Sequence, residues 1–154
     1  MHPLAIRPAA QENSIGRLFD RDYCTHRGDG CGDGDTGFGN VTNVSRTVRI
    51  YERAGLAGMF IEDQVFPKRG GHMIGKNVIP TEEMVSKLKA ALDARQDPDF
   101  VIMARTDANA VNGIDDALER MAIYREVGAD LLFVEAPRNK VEMRRICSEL
   151  DGPN

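Results

Sequence analysis

The stretch Phe100-Val101-Ile102-Met103-Ala104-Arg105-Thr106-Asp107 changes abruptly from apolar to charged side chains. An uninterrupted apolar run that contains β-branched residues is typical of a strand buried on both faces of a sheet. Arg105 and Asp107 then lie where this strand ends and the chain meets solvent. The stretch therefore predicts a buried strand that places ionisable side chains at its carboxyl end.

The same alternation of strand and helix extends to both sides of this stretch. Apolar runs at 57–61 and 131–134 predict two further strands, which end in Glu62-Asp63 and in Glu135. Apolar residues at helical spacing, with capping residues before them and glycines after them, predict four helices. These helices begin at Asn40 or Thr42, at Thr81, at Asp115 and at Asn139, and Gly55 and Gly128 end the first and third.

Strands that alternate with helices predict an α/β fold with a parallel sheet, because a helical crossover returns the chain in the same direction. The sheet is either open and doubly wound or closed as a barrel, and periodicity alone leaves both open. Residues 1–32 carry little periodicity and contain several glycines, so we expect an irregular or poorly ordered N-terminal segment. Residues 33–154 then form the folded α/β part.

Composition excludes several classes of function. The chain has 154 residues, a net charge of -4 and a pI near 5.4, and its basic residues are not segregated on one stretch, so we expect no nucleic-acid partner. We find no apolar run long enough to span a membrane and no signal-peptide core, which predicts a cytoplasmic protein without a membrane partner. Its three cysteines include no CxxC pair, so neither a disulfide framework nor a zinc knuckle is expected.

Charged residues follow each predicted strand. Asp33 and Asp35 come after the glycine-rich stretch, and Glu62, Arg105 and Glu135 follow the three apolar runs. Because the carboxyl ends of parallel strands meet at one edge, these side chains can share one pocket. Clustered carboxylates favour a divalent cation such as Mg²⁺, and an arginine beside them suits a substrate carboxylate. The alternative is that these charges only solvate the rim of the sheet.

The segment Asp33-Gly34-Asp35-Thr36-Gly37 does not fit two common ligand loops. As an EF-hand it lacks glycine at the sixth position and glutamate at the twelfth, where Phe38 and Val44 stand. As a phosphate loop it lacks the Gly-Lys-Ser/Thr ending. Calcium-sensor and nucleotide-binding functions are therefore not indicated.

Five short segments, in this order, resemble the isocitrate lyase and phosphoenolpyruvate mutase superfamily, whose fold is a (β/α)8 TIM-type barrel. The match runs from about residue 33 to residue 150, and five ordered motifs are more specific than any one of them. The segments are 33–40 (DGDTGFGN), 61–64 (IEDQ), 68–72 (KRGGH), 104–107 (ARTD) and 133–136 (FVEA).

The resemblance implies a Mg²⁺-dependent enzyme of small organic acids. Asp33 and Asp35 would hold the metal, Glu62 would support it, and Arg105 and Glu135 would contact the substrate. The lyase branch implies cleavage of a 2-methylisocitrate-like or dimethylmalate-like acid into a 2-oxo acid and a dicarboxylate. The substrate would be a small anionic 2-hydroxy or 2-oxo acid, and the full-length family implies a homo-oligomer, a tetramer.

The resemblance also assigns a mobile active-site loop. Lys68, Arg69 and His72 would lie on this loop and act in catalysis. Gly70 stands where the lyases carry a cysteine that is thought to protonate the departing carbanion, and loss of a general acid typically slows a reaction by roughly 10²- to 10⁴-fold. The sequence therefore also admits a phosphonomutase or an oxaloacetate decarboxylase-like relative.

Chain length adds a further expectation. A complete barrel of this type takes about 250 residues, whereas this chain accommodates roughly four βα units. Matches to the family's first and last strands are not found, which predicts a partial barrel with impaired activity, or a truncated non-catalytic fragment.

Overall fold

The computed structural model describes residues 30–68 and 75–150 as an α/β unit with a strand before each of its long helices. No helix in these two ranges is long and apolar enough to cross a membrane. The strands are β1 (Cys31–Asp33), β2 (Gly58–Glu62), β3 (Val101–Thr106) and β4 (Leu131–Val134). The helices are α1 (Val41–Arg53), α2 (Thr81–Ala94), α3 (Ala108–Val111), α4 (Ile114–Val127) and α5 (Lys140–Glu149).

The four strands form one parallel sheet in the order β1-β2-β3-β4. Each strand therefore pairs with the next one along the chain, and the strand order never reverses as it does in a doubly wound sheet. Of the two predicted architectures this order favours the barrel, and the unit corresponds to four consecutive βα units of a (β/α)8-type barrel. In the register, Glu62 lies beside Arg105 and Arg105 beside Phe133, so these side chains share one face near the carboxyl edge.

The two faces of the sheet differ in how they are covered. One face packs against the helices and supplies buried residues such as Ile61, Ile102 and Leu132 to the hydrophobic core. The opposite face, which would point into a barrel, carries half-buried Phe60 and Met103 and leaves Phe133 44% exposed. The helix-packed face alone therefore builds the core. The charged residues at the carboxyl ends of the strands lie on the other face.

Element boundaries follow the sequence prediction closely. Asn40, and not Thr42, caps α1, since its side chain accepts hydrogen bonds from the backbone N–H groups of Thr42 and Asn43. Gly128 ends α4 with a φ of 114°, a left-handed conformation that glycine adopts without strain. The short helix α3 was not predicted, because four residues are too few to show a helical period.

The prediction that residues up to 32 are irregular is wrong at its end. Strand β1 begins at Cys31 and pairs with β2 in parallel register, while residues 1–29 lie outside the described part of the chain. A glycine is needed at position 32 of this strand, because a Cβ there would lie 2.6 Å from the ring of Tyr51. The glycine that argued against a strand is instead the residue that allows this one to pack under α1.

Close packing also explains the glycine after β1. The Gly34 N–H donates to the Phe60 carbonyl oxygen at 2.9 Å, and the Glu62 N–H donates to the Asp35 carbonyl oxygen at 2.8 Å, so the chain stays beside β2. A Cβ on Gly34 would lie 2.4 Å from the Met59 methyl group and 2.6 Å from the Phe60 oxygen. Only glycine fits at this approach without a backbone shift.

We expect Gly34→Ala to lower the free energy of unfolding by about 1 to 3 kcal/mol, because the added methyl group overpacks the junction of β1 and β2. Gly30→Ala is the matched control, since its Cβ would meet Leu56 at an ordinary 3.6 Å. The control should stay within about 0.5 kcal/mol of the wild type in denaturant unfolding. Equal stabilities for the two variants would contradict this account of the junction.

Candidate active site at the carboxyl ends of the strands

Three carboxylates come together where β1 and β2 end. The Asp35 backbone has a φ of 50°, and its N–H donates to the Asp33 carboxylate at 2.8 Å, which fixes the turn between the two aspartates. Non-glycine residues with positive φ are uncommon and concentrate at functional sites. The pairing of Asp35 with Glu62 then places Asp35 beside the fully buried Glu62 side chain.

The ammonium group of Lys68 lies among these carboxylates. Its Nζ is 3.4 Å from Asp33 Oδ2 and 3.7 Å from Glu62 Oε1, and it contacts Asp35 Oδ1 as well. Lys68 is on the segment that follows β2, and its side chain is 29% exposed. A cation therefore stands where the three acidic side chains converge.

Arg105 joins this group to the next two strand ends. Its Nε lies 3.3 Å from Glu62 Oε2 and 3.1 Å from Asp107 Oδ2, and its Nη2 lies 3.5 Å from Glu135 Oε2. The guanidinium also covers the Phe133 ring, 5.7 Å from the ring centre. The arginine is thus held in place by acids from three strands and by an aromatic ring.

Asp107 has a second cationic partner, Lys76. The distance from Lys76 Nζ to Asp107 Oδ1 is 2.5 Å, and the two side chains are 5% and 0% exposed. Sequence reasoning did not single out Lys76, since it stands in a loop 31 residues before Asp107 with no periodic signal. Only the fold brings the two residues together.

Burial and charge push the carboxyl pKa values of this site apart. Burial raises the pKa of Glu62 above its ordinary value, and the nearby Arg105 and Lys68 offset only part of that effect. Burial opposes ionisation of Asp107 too, but hydrogen bonds from Arg105 and Lys76 outweigh it and lower the pKa of this carboxyl group. Asp107 is therefore firmly charged, whereas Glu62 holds a proton more readily than a free glutamate does.

The oxygen donors of this cluster are of the type that binds a divalent metal. Among the described residues no group of three or more His, Cys, Asp or Glu side chains is arranged to hold a metal ion, and the acids of this cluster surround Lys68. Two of their buried oxygens, Asp35 Oδ1 and Glu62 Oε2, have only their ion pairs with Lys68 and Arg105 and no further hydrogen bond among the described residues. All the available donors are carboxylate oxygens, the ligands that Mg²⁺ prefers. The chemistry of these donors fits Mg²⁺, and the Lys68 ammonium lies among them.

The structure brings together most of the residues that the sequence predicted for a site. Asp33, Asp35, Glu62, Arg105 and Glu135 form one connected cluster, and Lys68 belongs to it. The other predicted loop residues, Arg69, Gly70 and His72, lie outside the described residues. Sequence reasoning did not find Lys76, and it placed Asp107 at the end of the strand without giving it a role in the site.

The chain is similar to known proteins over most of its length. The family model described as phosphoenolpyruvate phosphomutase matches residues 31–154. The 2,3-dimethylmalate lyase of Eubacterium barkeri is 57% identical over 120 residues, which are 78% of this chain and 42% of the relative. The 2-methylisocitrate lyase of Escherichia coli K12 is 50% identical over 122 residues, which are 79% of this chain and 41% of the relative.

Solved structures agree with these matches. A crystal structure of 2,3-dimethylmalate lyase, described as a PEP mutase/isocitrate lyase superfamily member, aligns with a TM-score of 0.77 at 33% identity and covers 97% of this chain and 49% of that one. A phosphonopyruvate hydrolase complex with oxalate and Mg²⁺ aligns with a TM-score of 0.68 at 34% identity and covers 80% of this chain and 43% of that one. The chain thus spans less than half the length of these proteins.

The family model covers most of the chain, and the structural matches extend over the same sheet and helices. Each relative named above carries out chemistry on a small organic acid or a phosphonate, according to its name. The predicted resemblance is therefore confirmed, and this chain belongs to the phosphoenolpyruvate phosphomutase family within the isocitrate lyase and phosphoenolpyruvate mutase superfamily.

Proposed function

We propose that this chain carries the metal-binding and acid-binding part of a Mg²⁺-dependent carbon–carbon lyase that acts on a 2-methylisocitrate-like or dimethylmalate-like acid. The observation that carries the proposal is the convergence of Asp33, Asp35 and Glu62 on one cation, with Arg105 beside them. The identity to lyases of both substrate types supports the reaction class.

Charge balance supports a divalent cation at this place. The connected cluster contains five carboxylates and three cations, a formal charge of -2, and displacement of Lys68 by Mg²⁺ would change the protein charge to -3 and leave -1 with the ion bound. Asp33 and Asp35 would hold the ion, and Glu62 would support it. When bound, the metal supplies a Lewis acid for the oxygens of the 2-oxo acid part of the substrate. The members of the cluster are Asp33, Asp35, Glu62, Asp107, Glu135, Lys68, Lys76 and Arg105.

Arg105 would bind and orient the carboxylate of the substrate. Its Nε and Nη2 are engaged by protein acids, whereas its Nη1 has no protein hydrogen bond within the ranges the structure describes. A guanidinium offers paired donors to a carboxylate, and Phe133 beneath the guanidinium limits its movement. The Arg105 guanidinium would therefore present its Nη1 group to a substrate carboxylate in a fixed orientation beside the cluster.

The proposed cleavage balances as a reverse aldol reaction. The hydroxyl group of the substrate loses its proton and becomes the carbonyl of the 2-oxo acid, while the adjacent carbon–carbon bond breaks. The electron pair of that bond passes to the departing carboxylate fragment, which then takes up a proton. In this chain Gly70 occupies the place of the proton-donating cysteine of the lyases, so we propose that the turnover is impaired.

The same glycine favours a second candidate function. Relatives that do not depend on this cysteine include phosphonomutases and hydrolases, and the chain resembles a phosphonopyruvate hydrolase in fold. Such an enzyme would use the same metal and Arg105 for a 2-oxo acid that carries a phosphonate group. A non-catalytic fragment that keeps the acid-binding cluster is the remaining alternative.

Pyruvate release from 2-methylisocitrate and from 2,3-dimethylmalate, measured in a coupled assay with Mg²⁺, tests the lyase proposal. We expect slow release by the wild type and a roughly 10²- to 10⁴-fold faster release by Gly70→Cys, which restores a proton donor. The exposed Lys89→Met is the control and should match the wild type. No product from either the wild type or Gly70→Cys would reject the lyase, and phosphonopyruvate turnover would then favour the second candidate.

Calorimetric titration with Mg²⁺ tests the metal part of the proposal separately. The Lys68 ammonium competes for the same oxygens, so Lys68→Met should bind Mg²⁺ at least about tenfold more tightly than the wild type. Asp35→Asn should bind it more weakly, because one charged ligand is lost. If Lys68→Met binds more weakly, or if Asp35→Asn binds like the wild type, the proposed metal position is wrong.

A further inference from the structure

Lys76 reaches the candidate site from outside the sheet. It stands in the segment between β2 and α2, yet its ammonium contacts Asp107 directly after β3, and only 5% of its side chain is exposed. Burial of a lysine ammonium is costly unless the group is paired. The Asp107 carboxylate is the partner that permits this burial, and the pair therefore forms a fixed part of the site.

Asp107 divides its two oxygens between two cations. The Lys76 ammonium donates to Oδ1 at 2.5 Å. Arg105 donates to Oδ2 through Nε at 3.1 Å and to Oδ1 through Nη2 at a longer distance of 3.3 Å. An arginine and a carboxylate without competitors prefer a two-bond fork with both contacts short. Arg105 makes both bonds of this fork, but it shares Oδ1 with Lys76, and its bond to that oxygen is the longer of the two.

The weakened fork leaves Arg105 shared among several acids. The guanidinium remains within ion-pair distance of Glu62 on one strand and Glu135 on another. We propose that Lys76 is a positioning residue: by sharing Oδ1 of Asp107, it weakens the hold of Asp107 on Arg105 and keeps the guanidinium available to the substrate anion. The consequence for substrate binding rests on the function proposed above for Arg105.

A purely structural role for the pair makes different predictions. Asp107 is also held through its backbone, since its N–H donates to Asp63 Oδ1 at 3.0 Å. The end of β3 therefore keeps its main-chain position without Lys76. Loss of Lys76 should alter the surroundings of the Arg105 guanidinium specifically, whereas a loop anchor would leave them unchanged.

The experiment compares Lys76→Met, which keeps the length of the side chain but removes its charge, with Lys76→Arg, which keeps the charge. The exposed Lys89→Met is the matched control for loss of a lysine. Two quantities are measured on the intact chain: the NMR resonance of the Arg105 Nε–H group, identified by its loss in Arg105→Lys, and the affinity for oxalate in the presence of Mg²⁺. The first does not depend on any enzymatic activity.

We expect the Arg105 resonance to shift in Lys76→Met and to return towards its wild-type position in Lys76→Arg. Oxalate affinity should fall roughly tenfold in Lys76→Met, the effect of one charge-assisted contact, and recover in Lys76→Arg. Lys76→Met combined with Asp107→Asn should bind oxalate more tightly than Lys76→Met alone, because the competing carboxylate is gone.

The outcomes separate this inference from the proposed function. An unchanged Arg105 resonance in Lys76→Met overturns the positioning role. A shifted resonance with unchanged oxalate affinity overturns it as well, because Arg105 then needs no positioning for an anion. A shifted and rescued resonance in a protein that never binds oxalate supports the positioning of Arg105 and rejects the proposed function.

Discussion

The buried carboxylate of Asp63, directly after β2, holds the strand ends in register. It accepts hydrogen bonds from the Thr106 hydroxyl at 2.7 Å, the Asp107 N–H at 3.0 Å and the Tyr124 hydroxyl at 3.0 Å, and Arg120 lies 3.3 Å away. A fully buried carboxylate is tolerated only with such partners. Because these donors come from β3, the loop after it and α4, one side chain fixes the end of β2 against its neighbours.

The charged site depends on this connection. Glu62 precedes Asp63 and Arg105 precedes Thr106, and side chains of neighbouring residues in a strand point to opposite faces of the sheet. The hydrogen bonds of Asp63 fix the register of β2 and β3, and this register places Glu62 beside Arg105 on the other face. In that alignment neighbouring acids neutralise Arg105 and the lysines, yet an excess of negative charge remains. The ends of the strands therefore hold a preorganised group of carboxylate oxygens with excess negative charge, which favours binding of a cation. The described helices behind the sheet contribute no side chain to this group.

The sequence predicts the parts that arise from local pattern. The helices, the three apolar strands and the charged residues after them follow from periodicity and from the parallel arrangement, and Glu62 and Arg105 were placed together for that reason. Contacts set by three-dimensional proximity were not predictable. Lys76 contacts Asp107, which lies 31 residues later in the chain. Strand β1 contains Gly32 because the Tyr51 ring leaves no room for a larger side chain at that position. The choice of a barrel also required the observed strand order.

We propose that the acids around Lys68 form a divalent-metal site. The most direct measurement is anomalous X-ray diffraction from crystals of the chain grown with Mn²⁺ in place of Mg²⁺. We expect an anomalous peak next to the carboxylates of Asp33, Asp35 and Glu62, with the Lys68 ammonium moved away from them. Crystals at saturating Mn²⁺ in which Lys68 keeps all three contacts and no peak lies beside these carboxylates would contradict the proposal.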